Sequence, residues 1–361
     1  MTRFIALLLL TVPIAQAAPY KIALLCPRSS KDMHTESLQA IEAIKLAIHD
    51  SGEPAELEII DTRGDPTEAK RSADHVIKSG AIAAVGMLGG EEDTRLAKLL
   101  SEAKIPSIAQ SSTLPNIARP YVFQTCTDDE KQAQALAVKL RSLGLTRILT
   151  VLNPIERSPL VFSAAFRREF IAQGGQILKE FDIGSQSATK LAESIHSAHS
   201  NADGIAIFSK SQPLISLYVA LRKLGIDKDI FATDSMLSSD ISAPAIRLGK
   251  YLNIALFLAH SDTTHPQKKT TTFIERFNKT NPSIPITFFS FDALLAYDSA
   301  MILLKAIKEA KSTTPEDIAT ALKRVSFDGV TGGGLSFDKN GKSKRNIVFM
   351  KFTGGRLEAL N

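Results

Sequence analysis

Ile105-Pro106-Ser107-Ile108-Ala109-Gln110-Ser111-Ser112-Thr113-Leu114-Pro115 is the stretch on which the fold turns. A short apolar run bounded by turn residues reads as a strand buried on both faces, the kind found in parallel sheets. It ends in three adjacent hydroxyls. In an open α/β sheet, ligands dock outside the carboxyl ends of the strands. Ser111, Ser112 and Thr113 are therefore expected where a small molecule binds. A Ser-Ser-Thr run ahead of a proline also suits a capped turn. The whole cluster at one strand end favours ligand contact.

The pattern on the amino-terminal side supports a parallel sheet. Lys21 to Cys26 is a short apolar strand, and Pro27-Arg28-Ser29-Ser30 is its loop. Leu38, Ile41, Ile44 and Ile48 then recur at three- and four-residue steps, which predicts a helix over 36–50. Glu56 to Asp61 is a second strand, and Pro66 opens the next helix at a favourable first position. Ala81 to Val85 is a third strand, leading into Gly86-Met87-Leu88-Gly89-Gly90 and a helix over 91–103. Strands separated by single helices predict a doubly wound sheet with right-handed crossovers.

The same pattern restarts at Arg147. Strands are expected over 147–152, 176–182, 204–208 and 230–233, with helices over 162–173, 190–198 and 213–224 between them. Two successive blocks of one architecture imply two similar lobes. The carboxyl-terminal part differs. A long amphipathic helix over 289–310 precedes Leu335-Ser336-Phe337 and Asn346 to Phe352, which read as a hairpin around Asn340-Gly341. Thr353-Gly354-Gly355 then turns the chain into Arg356 to Leu360.

The 361 residues suffice for two domains of ordinary size, and 44% hydrophobic with 22% charged residues is ordinary globular composition. Arg3, the apolar run Phe4 to Val12 and Ala15-Gln16-Ala17 form a secretory signal over 1–17, too short to span a bilayer. Export makes a disulfide chemically permissible, but only Cys26 and Cys126 are present. A bridge and two buried free thiols both stay open. The net charge of +5 is mild and spread along the chain, and Trp is absent. No basic face with interleaved aromatics emerges, which argues against nucleic-acid binding. Lys339 to Arg345 carries four basic residues and reads as a solvated turn.

Motifs for chemistry fail one by one. Gly341-Lys342-Ser343 lacks the earlier glycine of a phosphate loop, because Ser336 stands there. Gly332-Gly333-Gly334 opens no helix. His196 and His199 share a helical face without an HExxH motif or a cysteine cluster, so no metal is expected. Ser111 or Ser112 would need a positioned base to act as a nucleophile, and no histidine has a sequence context that supplies one. No enzyme activity and no cofactor are expected.

Several residues together carry a resemblance to a family. Phe327-Asp328-Gly329-Val330-Thr331-Gly332, followed by Leu335-Ser336-Phe337-Asp338-Lys339-Asn340-Gly341, is its most specific part. Asp61-Thr62-Arg63-Gly64-Asp65-Pro66, Val85-Gly86, Ile105-Pro106 with Ser111 to Pro115, and Phe291-Asp292-Ala293 follow in order and spacing. Over nearly the whole exported chain, the sequence resembles the type I periplasmic solute-binding proteins of ABC importers, in the branched-chain amino acid (Leu/Ile/Val-binding) family.

The resemblance implies an α/β fold of two doubly wound parallel-sheet lobes joined by three hinge crossings. Lobe one is expected at 19–126 plus 252–330, and lobe two at 127–251 plus 331–361. The implied function is a periplasmic receptor that binds an amino acid or similar small carboxylate between the lobes. It would act as a monomer and present the ligand to an ABC permease in the inner membrane. The alternative is a ligand-sensing or protein-binding regulatory module of the same fold.

Ser111, chiefly through its N–H, and Thr113, through its hydroxyl, fall at positions that resemble the family's carboxylate clamp. Ser112 and Gly90 join them. Phe208 or Ser209 falls near the family's aromatic position, and Asp234 near its ammonium-binding acid. Departures are also visible. Gly89-Gly90-Glu91 stands where the family often has a serine, Arg157-Ser158 replaces a common Tyr-Gly, and Arg28 and Lys210 add cations in cleft loops.

Overall fold

The computed structural model describes residues 18–115, 119–209, 213–234, 254–259, 267–288, 290–332, 334–353 and 356–360. The secretory signal expected over 1–17 and Lys210 lie outside the described residues.

The first sheet is built from β1 (Tyr20–Cys26), β2 (Ala55–Asp61), β3 (Ala83–Gly86), β4 (Ser107–Ala109) and β5 (Val122–Gln124). All its pairings are parallel, in the order β2-β1-β3-β4-β5. Its central strands are buried along their whole length, as apolar runs covered on both faces must be. The edge strand β2 carries Glu56 and Glu58, charges that blunt an exposed edge. Helix α1 (His34–Ser51) covers one face, and α2 (Ala69–Ser79) with α3 (Asp93–Glu102) covers the other.

The second block forms its own sheet. It contains β6 (Arg147–Leu152), β7 (Gln176–Asp182), β8 (Gly204–Phe208), β9 (Asp229–Ala232) and β10 (Ile254–Ala259). Helices α4 (Asp129–Ser142), α5 (Arg157–Ala172), α6 (Ala188–His196) and α7 (Pro213–Lys223) belong to this lobe. The chain then returns to the first lobe as α8 (Lys268–Thr280), α9 (Phe291–Ala310) and α10 (Pro315–Leu322), where α9 packs along α1.

Two expected boundaries are corrected. Strand 254–259 does not belong to lobe one: β10 pairs in parallel with β9 through Phe257 and Ala232, so it completes the second sheet. Nor does 331–361 form a piece of lobe two. The short ribbon β11 (Phe327–Asp328) and β12 (Gly334–Leu335) leads to Phe337, whose ring packs 5.1 Å from Phe123 in the first-lobe core. Only β13 (Val348–Thr353) and β14 (Arg356–Leu360) join the second sheet, antiparallel to β10 and to each other. Its order is β14-β13-β10-β9-β8-β6-β7. The Asn340-Gly341 turn is real, but its return partner is Ser343, opposite Phe337, and not the 346–352 strand.

The chain thus passes between the lobes at 125–128, between β10 and α8, and at 343–347. A buried ion pair ties the first and third of these passages together. Asp298 on α9 is 0% exposed and Arg345 is 3% exposed, with 3.4 Å between Oδ2 and the guanidinium. Arg345 Nε donates to Thr125 O at 3.1 Å, and its guanidinium also donates to Thr331 Oγ1. Asp298 accepts the N–H groups of Val330 at 2.7 Å and Thr331 at 3.0 Å. A Cβ at Gly329 would lie 2.1 Å from Asp298 Oδ1, so the cradle needs glycine there. Arg345 is therefore no part of a solvated turn, and Lys342 beside it is paired with Asp128.

Both cysteines are free and buried, with burial pushing the Cys26 thiol up to about 12.

Removing one member of such a buried pair typically costs about 3–5 kcal/mol, because the other charge is left without compensation. Asp298→Ala should lower stability by that amount in urea unfolding. Asp298→Ala with Arg345→Met should recover part of the loss; a double-variant loss equal to the sum of the two single losses would mean the pair is not coupled.

Candidate functional site

The carboxyl ends of β3 and β4 shape the first-lobe wall of a cleft. Gly86 takes φ 127°, and a Cβ there would lie 2.1 Å from Leu25 O, so only glycine lets β3 lie against β1 at this point. Met87 and Gly89 also adopt positive φ, turning the chain sharply into Gly90. The hydroxyl run after β4 lies beside this loop.

The second wall comes from the start of α4 and the start of α5. Asp128 caps α4, accepting from Glu130 N at 3.0 Å and Lys131 N at 3.3 Å. Between the walls is a cavity of about 270 Å³, lined by Gly89–Glu91 and Ser111–Pro115 on one side and Asp128–Glu130 and Glu156–Pro159 on the other. Lys342 completes the lining from the turn before the third crossing. Arg157 reaches across to donate to Thr94 Oγ1 of the first lobe. Burial, assisted by the charge of Arg157, pulls the nearby Arg119 guanidinium below its ordinary pKa.

The three hydroxyls have different partners. Ser111 donates its hydroxyl to the carboxylate of Asp292 and its N–H to Met87 O at 3.3 Å. The N–H expected to serve a ligand is thus already committed. The Ser112 hydroxyl lies near Asp93 and favours its ionised form. The hydroxyl and N–H of Thr113 and the N–H of Ser112 have no partner among the described residues. Those three donors are what the run offers to the cleft.

Beneath the glycine loop lies a feature that reading the sequence missed. Glu92 and Asp93 are both carboxylates with almost no exposure, at 0% and 1%. Thr62 Oγ1 donates to Glu92 Oε1 at 2.6 Å, while Glu92 Oε2 has no partner. Gly89 N donates to Asp93 Oδ2 at 2.9 Å. Burial, reinforced by the charge of Glu92, pushes Asp93 up to about 7 despite hydrogen bonds from Gly89, Ser112 and Gly90. The sequence signal was the Glu91-Glu92-Asp93 run, which resembles an ordinary acidic helix start.

Other expected site residues lie elsewhere. Phe208 is fully buried in the second-lobe core, its ring 5.1 Å from Phe162 and 5.2 Å from Phe166, so it faces no cleft. An aromatic at the last position of a central strand has simply alternated into the core. Arg28 is exposed at the end of β1 and does not line the cavity. Ser209 is buried at 1% exposure, and Asp234 accepts from Gln132 Nε2 at 3.4 Å; neither lines the cavity. The acidic start of α4 was readable in Thr127-Asp128-Asp129-Glu130, where Asp128 is a favoured N-cap residue.

A family model described as "Periplasmic binding protein" matches residues 19–356. The chain is 24% identical over 314 residues to the leucine-, isoleucine-, valine-, threonine- and alanine-binding protein of Pseudomonas aeruginosa, covering 85% of this chain and 81% of that one. Among solved structures, a leucine-binding protein of Thermotoga maritima superimposes with a TM-score of 0.78 at 26% identity, covering 95% of this chain and 98% of the other. An ABC-transporter solute-binding protein of R. palustris in complex with benzoate shares the fold, with a TM-score of 0.78 at 16% identity over 95% of this chain and 96% of that one.

Asp93 carries a pH signature of its own. Its folded-state pKa of about 7 lies above the ordinary carboxyl value of about 4. The folded state holds this proton more tightly than the unfolded chain. The group's stability contribution is therefore full below about pH 4 and is lost as pH rises toward 7. Asp93→Asn should gain Tm relative to the wild type at pH 8 compared with pH 5. A Tm difference independent of pH would show that Asp93 does not titrate between pH 5 and pH 8.

Proposed function

Because this chain belongs to the periplasmic binding protein family, we propose that it is the extracytoplasmic receptor of an ABC importer and binds an amino acid or similar small carboxylate in the interlobe cleft. The observation that carries the ligand class is the set of unpartnered donors at the cleft, the N–H groups of Ser112 and Thr113 and the Thr113 hydroxyl. Donors left free in a half-enclosed site suit an anion, because a desolvated carboxylate is costly to bury without them. The second lobe brings Asp128, Asp129, Glu130 and Glu156 to the opposite wall, an acidic surface that suits an ammonium. A zwitterionic amino acid matches this polarity, carboxylate toward the first lobe and ammonium toward the second.

The relatives support the same range. The Pseudomonas protein is named for five aliphatic and small amino acids, and the R. palustris structure holds benzoate. The mechanism that follows is hinge closure. The ligand contacts both walls only when they approach, so binding favours the closed arrangement by its differential contact with it. The closed receptor, a monomer exported through the 1–17 signal, then presents both lobes to an inner-membrane permease.

Thermal shift of ligand-free protein against amino acids and small carboxylates tests this reading. At least one of L-leucine, L-threonine, L-alanine or benzoate should raise Tm in a concentration-dependent way. Thr113→Ala should weaken that ligand by about 1–2 kcal/mol, the worth of a hydrogen bond to a charged group. No shift with any of these compounds would count against a carboxylate receptor.

A further inference from the structure

The first-lobe wall holds a carboxylate of its own. Gly89, Gly90 and Ser112 all line the cleft, and Gly89 gives its N–H to Asp93 behind it at 2.9 Å, while the Gly90 N–H and the Ser112 hydroxyl lie near enough to favour its ionised form. These are the kinds of donor that a ligand carboxylate would use in that loop. We propose that Asp93 is a specificity-determining residue: a resident carboxylate that competes with the ligand's carboxylate for the glycine-loop N–H groups, and so sets the choice between a carboxylate and its neutral amide. The inference rests on the receptor reading above and deepens it.

Geometry supports the competition in three ways. Asp93 is 1% exposed, so it cannot turn to water when a ligand arrives. Glu92 is packed against Gly90, where a Cβ would lie 2.1 Å from its Oε2, which leaves the loop no room to retreat inward. Gly89 has only one N–H, and it is spent on Asp93 Oδ2 at 2.9 Å. A ligand carboxylate seated on the Ser112 and Thr113 N–H groups thus meets a wall that already holds negative charge.

The charged groups around Asp93 decide how this responds to pH. Glu92, its neighbour on the same element, adds negative charge. From the cleft side, Glu91 lines the cavity, and Arg157 of the second lobe reaches Thr94, the residue after Asp93. The packed loops bring N–H groups and the Ser112 hydroxyl, not a counter-charge. Asp93 titrates near neutral pH, so its repulsion of a bound carboxylate grows from pH 6 to pH 8. A neutral amide does not feel that change.

The test uses the mature chain and two probe pairs, L-leucine with L-leucinamide and benzoate with benzamide, followed by isothermal titration calorimetry. At pH 8, Asp93→Asn should bind the carboxylates about tenfold more tightly than the wild type, the effect of one pKa unit of interaction. Benzamide should change by no more than about twofold, since a neutral molecule meets no repulsion to relieve, and L-leucinamide, which keeps only its ammonium, should not gain. For the wild type, affinity for either carboxylate should fall by up to about tenfold from pH 6 to pH 8, while Asp93→Asn stays flat. The wild-type pH series stands even if the variant fails to fold. Equal changes for acid and amide, or a flat wild-type series, would overturn the role of Asp93 and leave the receptor reading intact. Binding of none of the four probes by the wild type would overturn the receptor reading on which the inference rests.

Discussion

The buried pair Asp298–Arg345 is the constraint on which the arrangement of the lobes depends. Two charges removed from water are tolerated only with near-complete hydrogen bonding. Here the carboxylate takes the N–H groups of Val330 and Thr331, and the guanidinium takes Thr125 O and Thr331 Oγ1. Thr125 also pairs its hydroxyl with Ser299 at 2.7 Å. The first crossing, the third crossing and helix α9 therefore share one polar knot. The Asp328-Gly329-Val330-Thr331-Gly332 signature has a physical explanation in it, since that turn wraps the Asp298 carboxylate and requires glycine at 329. Lobe motion has to occur around this knot, because opening it would strand charge in the interior.

The cleft expresses a second constraint, on charge. Its first-lobe wall carries Glu91, with Asp93 and Asp292 behind the donors, and its second-lobe wall carries four acids. Lys342 is spent on Asp128, and Arg157 on Thr94. A ligand carboxylate is left with few uncommitted donors, and its ammonium would face many acceptors. That charge pattern is the one the proposed amino acid ligand would fit.

Most of the fold was legible because parallel strands buried on both faces write continuous apolar runs, and β8 was placed at 204–208, the range it occupies. The helix at 129–142 went unread because its apolar residues are alanines and spaced leucines behind an acidic start. The boundary errors have one cause. Strand 254–259 and the 331–343 segment belong to the lobe they pack against, and pairing across a sheet leaves no local mark. Position in the chain was a poor guide for Phe208 as well, since the pleat sent its ring into the core. At the site, the hydroxyl run was placed at the cleft, but its division of labour was not legible. That division depends on Asp93 and Asp292, one on the preceding helix and the other far along the chain, and only the folded geometry brings them to Ser112 and Ser111.

A crystal structure of the protein bound to whichever carboxylate stabilises it tests the central claim most directly. The account predicts the carboxylate oxygens within hydrogen-bond distance of the Thr113 hydroxyl and the Ser112 and Thr113 N–H groups, with the start of α4 or α5 closed on the ligand's other end. A ligand held by one lobe alone, or with its carboxylate turned toward the second lobe, would contradict it.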